Sequence, residues 1–191
     1  MENTEQLIKK VFAKNGIVLG LLLSGLSIFS FYFITSINSS PIMFVVGPLI
    51  FSFVIPLALL VVFCFSGRKK IGGYWNFKQA TTGIFIMIFM AYIIQTIGRD
   101  LIFANLIEPH MTDKTEKAFL NASALIRKQP GANQKQLDQN EADDKKHFNE
   151  QKHVTIISKL QEIATTIIFI FMLALIFAIL FKRETVYIST T

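Results

Sequence analysis

The sequence predicts an all-α membrane protein, with four transmembrane helices and a helical extracytoplasmic insertion between the third and the fourth. Three observations carry this. Of 191 residues, 52% are hydrophobic and 17% charged, where soluble domains carry about a quarter charged, and the mean hydropathy is +0.48. No ionisable Asp, Glu, Lys, Arg or His stands between Lys14 and Arg68, an interval of 53 residues that spans two bilayer crossings at ~1.5 Å per helical residue. The apolar runs are continuous, whereas the strands of an outer-membrane barrel alternate apolar and polar residues.

The first run, residues 16–37, reads "GIVLGLLLSGLSIFSFYFITSI" and exceeds the ~20 residues that a crossing needs. Lys9, Lys10 and Lys14 precede it. Its apolar stretch is longer than the core of a secretory signal and no A-x-A-like site follows, so a retained anchor is expected. Neither a myristoylation pattern nor a prenylation box occurs. Gly16, Gly20 and Ser24 recur at intervals of four, a small-residue stripe that lets a second helix approach closely. Packing against the second or fourth helix of the same chain is expected, ahead of self-association.

The second run, 42–65, follows after "NSSP", four turn-forming residues that make the pair a helical hairpin. Gly47-Pro48 and Pro56 interrupt its donor ladder and predict a kink. The sole cysteine, Cys64, lies here and reads as a small apolar side chain.

Between the second and third runs stands "RKKIGGYWNFKQA", with four cations, no acid and the only tryptophan. Gly67, Gly72 and Gly73 permit the reversal. Arg68, Lys69 and Lys70 are expected to face anionic headgroups, with Tyr74, Trp75 and Phe77 as interfacial anchors, because aromatic rings with a polar tip favour that boundary.

The third run, 79–98, can continue through "LIFANLI" to 107. Gln95 and Arg99 share one helical face, while the neighbours Arg99 and Asp100 do not face each other. Interfacial snorkelling explains the three residues; a polar site for a solute or partner is the sharper alternative. No ionisable Asp, Glu, Lys, Arg or His falls inside any of the four runs. That argues against proton relays and intramembrane catalysis.

Residues 108–162 form the extracytoplasmic segment. Asp113 with Glu116 resembles a capping box. Ala118, Ala122, Leu125 and Ile126 make one apolar face, and "QPGAN" (129–133) ends that helix. The following "QKQLDQNEADDKKHFNEQKH" has little to bury and is either a solvated helix or unstructured. Its His147, Glu150 and His153 lack the i, i+4 spacing of a helical metal pair. The fourth helix, 163–181, is expected to begin before the membrane, at Val154, Ile157 and Leu160, and 182–191 form a short tail.

Counting cations sets the orientation. With the N-terminus inside, the cytoplasmic pieces hold nine Lys and Arg against three acids, while Arg99 to Glu162 balances ten against ten. Both termini are therefore expected in the cytoplasm. The basic character belongs to membrane flanks and not to a nucleic-acid surface.

The elements "YWNFKQATTGIFI", "LIEPHMTDKTEKAFL" and a final helix ending in "FKRE" resemble the domain-of-unknown-function family 4199 of small bacterial integral membrane proteins. The resemblance runs from about Lys14 to Arg183; Glu108-Pro109 stands where relatives more often carry Asp-Pro. It implies a multi-pass, four-helix protein of the bacterial inner membrane and supplies no activity and no functional residues. No cofactor, metal or catalytic residue is expected. The function expected is that of a non-enzymatic scaffold, assembly or regulatory component, meeting either a membrane-protein partner or further copies of itself. The alternative is a small oligomeric transporter or channel.

Overall fold

The computed structural model describes residues 4–37, 41–128, 133–152 and 155–183. Four helices are long and apolar enough to cross a membrane: Thr4–Ser36, Val46–Lys70, Phe77–Ile107 and Ile156–Phe181. Among the described residues there is no strand, only an isolated antiparallel bridge between Trp75 and Arg183. The "NSSP" and "QPGAN" turns lie largely outside the described residues.

The first span is α1 (Thr4–Tyr32), which continues as a π-helical turn over Phe33–Ile37. The second is broken in the way its prolines require. It consists of α2 (Pro41–Leu49), a π-helical turn Ile50–Val54, and α3 (Ile55–Lys70), with Pro48 near the end of one α segment and Pro56 in the first turn of the next. Proline has no backbone N–H and crowds the preceding turn, so the ladder changes register between the two. The third span is α4 (Phe77–Thr96), prolonged by π winding over Ile97–Ile107, which includes the expected extension to residue 107.

Helix α4 starts at Phe77, two residues before the apolar run. Asn76 accepts from the Gln79 backbone N–H at 2.9 Å, and the Gln79 side chain accepts from the Asn76 N–H at 3.0 Å, a reciprocal cap. Gly72 (φ 97°) and Gly73 (φ 85°) make the turn before it in the left-handed region, where a Cβ is penalised. Gly67 does not belong to that turn. It lies inside α3, and a Cβ there would sit 2.4 Å from the Phe12 ring.

The insertion forms two helices, α5 (Met111–Arg127) and α6 (Gln134–Lys152). Asp113 is not the cap expected of it: α5 begins at Met111 after His110, which places Asp113 within the first turn. Leu125, expected on the buried face, is 45% exposed, whereas Ala122 is buried together with Ser123. The two helices pair through Arg127, which bonds Asp138 and Glu141 at 2.7 and 2.8 Å, and through Phe119 against Phe148. The fourth span is α7 (Ile156–Phe181), capped by Thr155 and Ser158.

α1, α4 and α7 form a row, α1 packing along α4 and α4 along α7, and the second span packs on α1. The small-residue stripe fixes the tightest of these contacts. A Cβ on Gly16 would meet the Met87 carbonyl at 2.5 Å, one on Gly20 the Ala91 carbonyl at 2.8 Å, and the Ser24 hydroxyl bonds the Gly20 carbonyl at 2.9 Å. The stripe therefore faces the third span, not the second or the fourth: Ala91 stands opposite Gly20 and Gly98 opposite Ser24, so the two backbones can close. At the end that carries both described termini, here the basic end, the row closes through Phe65 against Phe181. Toward the other, insertion end, α7 stands apart, with every residue from Thr155 to Thr165 exposed.

Candidate functional site

Two places gather polar chemistry in the spans. The first is the basic end. Trp75 is 2% exposed, which corrects its expected role as a ring lying among headgroups. Its indole stacks on Phe12 at 5.0 Å between centroids, and its Nε1–H donates to the Phe181 carbonyl at 2.7 Å. Its backbone N–H and carbonyl pair with Arg183. A protein partner satisfies the indole N–H here and water is not needed; that frees the ring to be buried. Phe12 fits because Gly67 and Gly83 leave no side chain where its ring lies.

Its neighbours divide between surface and interior. Tyr74 is 51% and Phe77 38% exposed, and the Arg183 guanidinium lies over the Tyr74 ring at 5.5 Å. Arg68 lies over Phe65 and reaches the Phe181 carbonyl at 3.5 Å. Lys70 donates to Asn15 at 3.2 Å, and the Asn15 amide, 4% exposed, donates to the Phe63 carbonyl at 3.5 Å. Lys69 is exposed. Some cations expected to meet lipid alone thus also tie spans together.

The second place is a cleft of about 350 Å³ among the first three spans, beneath the start of α5. Ser27 and Ser30 of α1, Ser52 of the second span, and Gln95 and Arg99 of the third line it, with Thr115 of α5 above. The Gln95 amide donates to the Ser27 hydroxyl at 3.1 Å. Arg99 Nε is 3.9 Å from the Asp100 carboxylate, both side chains being about half exposed. The sequence reading gave these two no mutual contact; at the exposed end of the π segment, two flexible side chains bend toward each other at the outer limit of an ion pair. Asp100 does not line the cleft, so of the three residues expected to form a polar site, Gln95 and Arg99 come together and Asp100 stands beside them.

All three π-helical segments contribute to this cleft: Ile34 from the first, Phe51 and Ser52 from the second, Arg99 from the third. π winding is rare and recurs at functional sites. The apolar wall includes Leu23, Leu26 and Pro56. Eight apolar and six polar residues line it, and its volume lies in the lower part of the ~300–1,000 Å³ range of ligand pockets.

Sequence reasoning missed Ser27, Ser30 and Ser52. The signal for the first two was their spacing of three after Ser24, which keeps them near one face. Ser52 became legible only once Pro48 and Pro56 had placed the π turn. Among the described residues no group of His, Cys, Asp and Glu could hold a metal ion, and the side chains of His147, Glu150 and His153 lie outside them.

No curated protein and no solved structure matches the chain. A family model described as "Protein of unknown function (DUF4199)" matches residues 14–183, which takes in all four spans, the Trp75 turn and the cleft. The chain is therefore a member of the DUF4199 family, a multi-pass membrane protein built on four helices.

Proposed function

We propose that this protein is a non-enzymatic component of the bacterial inner membrane, a scaffold, assembly or regulatory subunit, with both termini in the cytoplasm and the α5–α6 hairpin on the opposite side. The observation that carries this reading is the contrast between the two ends of the bundle. The basic end is closed by Phe12, Trp75, Ile84, Met87 and Ala174, each at most 2% exposed. At the insertion end, the first ten residues of α7 are all exposed, and the hairpin packs through α5 on the first and second spans. One end is built for internal stability and the other presents helix faces.

The charge supports the orientation, since the excess of basic residues falls on the termini and the Trp75 turn. The cleft favours a second reading, an oligomeric transporter or channel. Its lining begins at Leu23 and Pro56, and the layer below holds Leu19, Leu60 and Met87, all buried. Gln95 lines the cleft, whereas Thr81 and Thr96 of the same helix do not. A single chain therefore offers a pocket at one end and a packed core at the other.

Photo-crosslinkers placed at Ile157 and Gln161 on the full chain in native membranes test the reading. A reproducible heteromeric adduct from these sites, absent from a lipid-facing control at Leu21, supports a subunit role. Homo-oligomers alone, with solute flux after reconstitution, overturn it.

A further inference from the structure

We infer that the cleft among the first three spans is a binding site for an anionic phospholipid, with the phosphate on Arg99 and an acyl chain against the wall formed by Leu23, Leu26 and Pro56. The inference rests on the membrane-spanning architecture and not on the subunit role.

Charge is the first argument. Among the described residues Arg99 is the only ionised side chain in the lining, and no carboxylate lines it. Its contact with Asp100 is through Nε at 3.9 Å, longer than a hydrogen bond; a guanidinium presents a planar fork that matches phosphate oxygens.

Unused donors are the second. A hydroxyl in an apolar helix ordinarily returns to a carbonyl of its own chain, as Ser24, Thr35 and Thr115 do at 2.9, 2.8 and 2.9 Å. Ser30 and Ser52 make no such bond, although both line the cleft. Ser30 is half-buried and Ser52 exposed, so both hydroxyls are open to the cleft and available to an acceptor there.

Depth is the third. Arg99 follows Phe77 by 22 residues, which at ~1.5 Å per residue brings it to the far boundary of a ~30 Å hydrocarbon core. Leu23 and Pro56 lie below it, on the hydrocarbon side: a Cβ on Gly98 would meet Ser24, and the second span runs from Gly47 beside Phe33 down to Gly67 beside Phe12. A cation at headgroup level above an apolar wall has the polarity of a lipid molecule, whereas a free anion would leave that wall in contact with water. The volume, about 350 Å³, admits part of one lipid.

The test is native mass spectrometry of the full chain with phosphatidylglycerol or phosphatidylcholine of identical acyl chains. The wild type should retain phosphatidylglycerol about tenfold better, the difference that a charge-assisted hydrogen bond supplies. Arg99→Gln should abolish the preference, Arg99→Lys should keep part of it, and Lys69→Gln at the basic end should leave it intact. A photoactivatable phosphatidylglycerol, applied to the wild type alone, makes the outcome independent of whether the variants fold: adducts at Leu26, Phe51 or Ser52 support the site, and adducts confined to Arg68–Lys70 overturn it. An unchanged preference in Arg99→Gln also overturns it. So does binding of inorganic phosphate to the wild type without discrimination between the two lipids, which would assign the site to a free anion.

Discussion

Trp75 and Arg183, 108 positions apart in sequence, exchange two backbone hydrogen bonds of 3.0 and 3.1 Å, and the Trp75 indole bonds the Phe181 carbonyl two residues before. The turn before the third span thereby holds the end of the fourth. The contact matters because only one half of α7 is buried: Ile170, Ala174, Phe177, Ala178 and Phe181 all lie in its second half.

Substitution of Trp75 should therefore destabilise the bundle more than it shifts the depth of the third span. Trp75→Ala removes a buried ring and should cost about 3 kcal/mol or more. Trp75→Phe keeps most of the volume but removes the donor to the Phe181 carbonyl, at about 1–3 kcal/mol. Thermal unfolding in detergent should rank wild type above Trp75→Phe and Trp75→Ala lowest; equal midpoints would return the residue to a lipid anchor.

The stripe on α1 makes a second, sharper prediction. A Cβ at position 20 lies 2.7 Å from Ile94 Cβ and 2.8 Å from the Ala91 carbonyl, whereas at Gly25 nothing lies within 4 Å. Gly20→Leu should cost about 1–3 kcal/mol through forced separation of α1 and α4. Gly25→Ala should cost nothing, since it relieves glycine's entropic penalty within a helix. Matching losses at the two positions would mean that the α1–α4 contact is not the tight one.

The four spans were legible because lipid excludes charge over ~20 residues, a signal that needs no knowledge of packing. The kink at Pro48 and Pro56 and the early start of the fourth helix followed from local chemistry in the same way. Partner choice was not legible. A row of small residues announces a close approach without saying to which helix, and Gly16–Gly20–Ser24 found the third because Ala91 and Gly98 answer it there. Trp75 was misplaced for a related reason: residue type and sequence position predict interfacial depth, but whether a ring turns outward or inward depends on a pocket built by Phe12, Gly67 and Gly83, which no local pattern reveals. The cleft was half read, because Gln95 and Arg99 share a helical face while the hydroxyls opposite belong to other spans.

Outside the membrane, the hairpin should be sensitive to acid. Glu141 is held below the usual carboxylate range, first by its hydrogen bond to Lys145 and then by Arg127, and Arg127 is pushed up, first by Asp138. A carboxylate whose folded value is depressed contributes stability above its unfolded value of about 4.3, and loses it as pH falls through the lower folded value. The α5–α6 pairing should thus be independent of pH near neutrality and loosen below about pH 4.3. Amide hydrogen exchange in α6 should show this acid onset in the wild type. Glu141→Gln should show less of it, the remainder belonging to Asp138; identical profiles would remove the pairing as its cause.

The proposed topology makes the last prediction, and Cys64 makes it clean to test. The only native thiol is fully buried, so a membrane-impermeant maleimide should leave the wild-type chain unlabelled in intact cells. Lys69 and Lys182 flank the basic end and are exposed, and Lys117 is an exposed position on α5. Lys117→Cys should label from outside, whereas Lys69→Cys and Lys182→Cys should label only after the membrane is opened. Labelling of Lys69→Cys and Lys182→Cys from outside with Lys117→Cys protected would invert the orientation and keep the fold. Opposite accessibility of Lys69→Cys and Lys182→Cys would contradict the fold itself, because the Trp75–Arg183 bridge holds those two segments at one face of the bilayer.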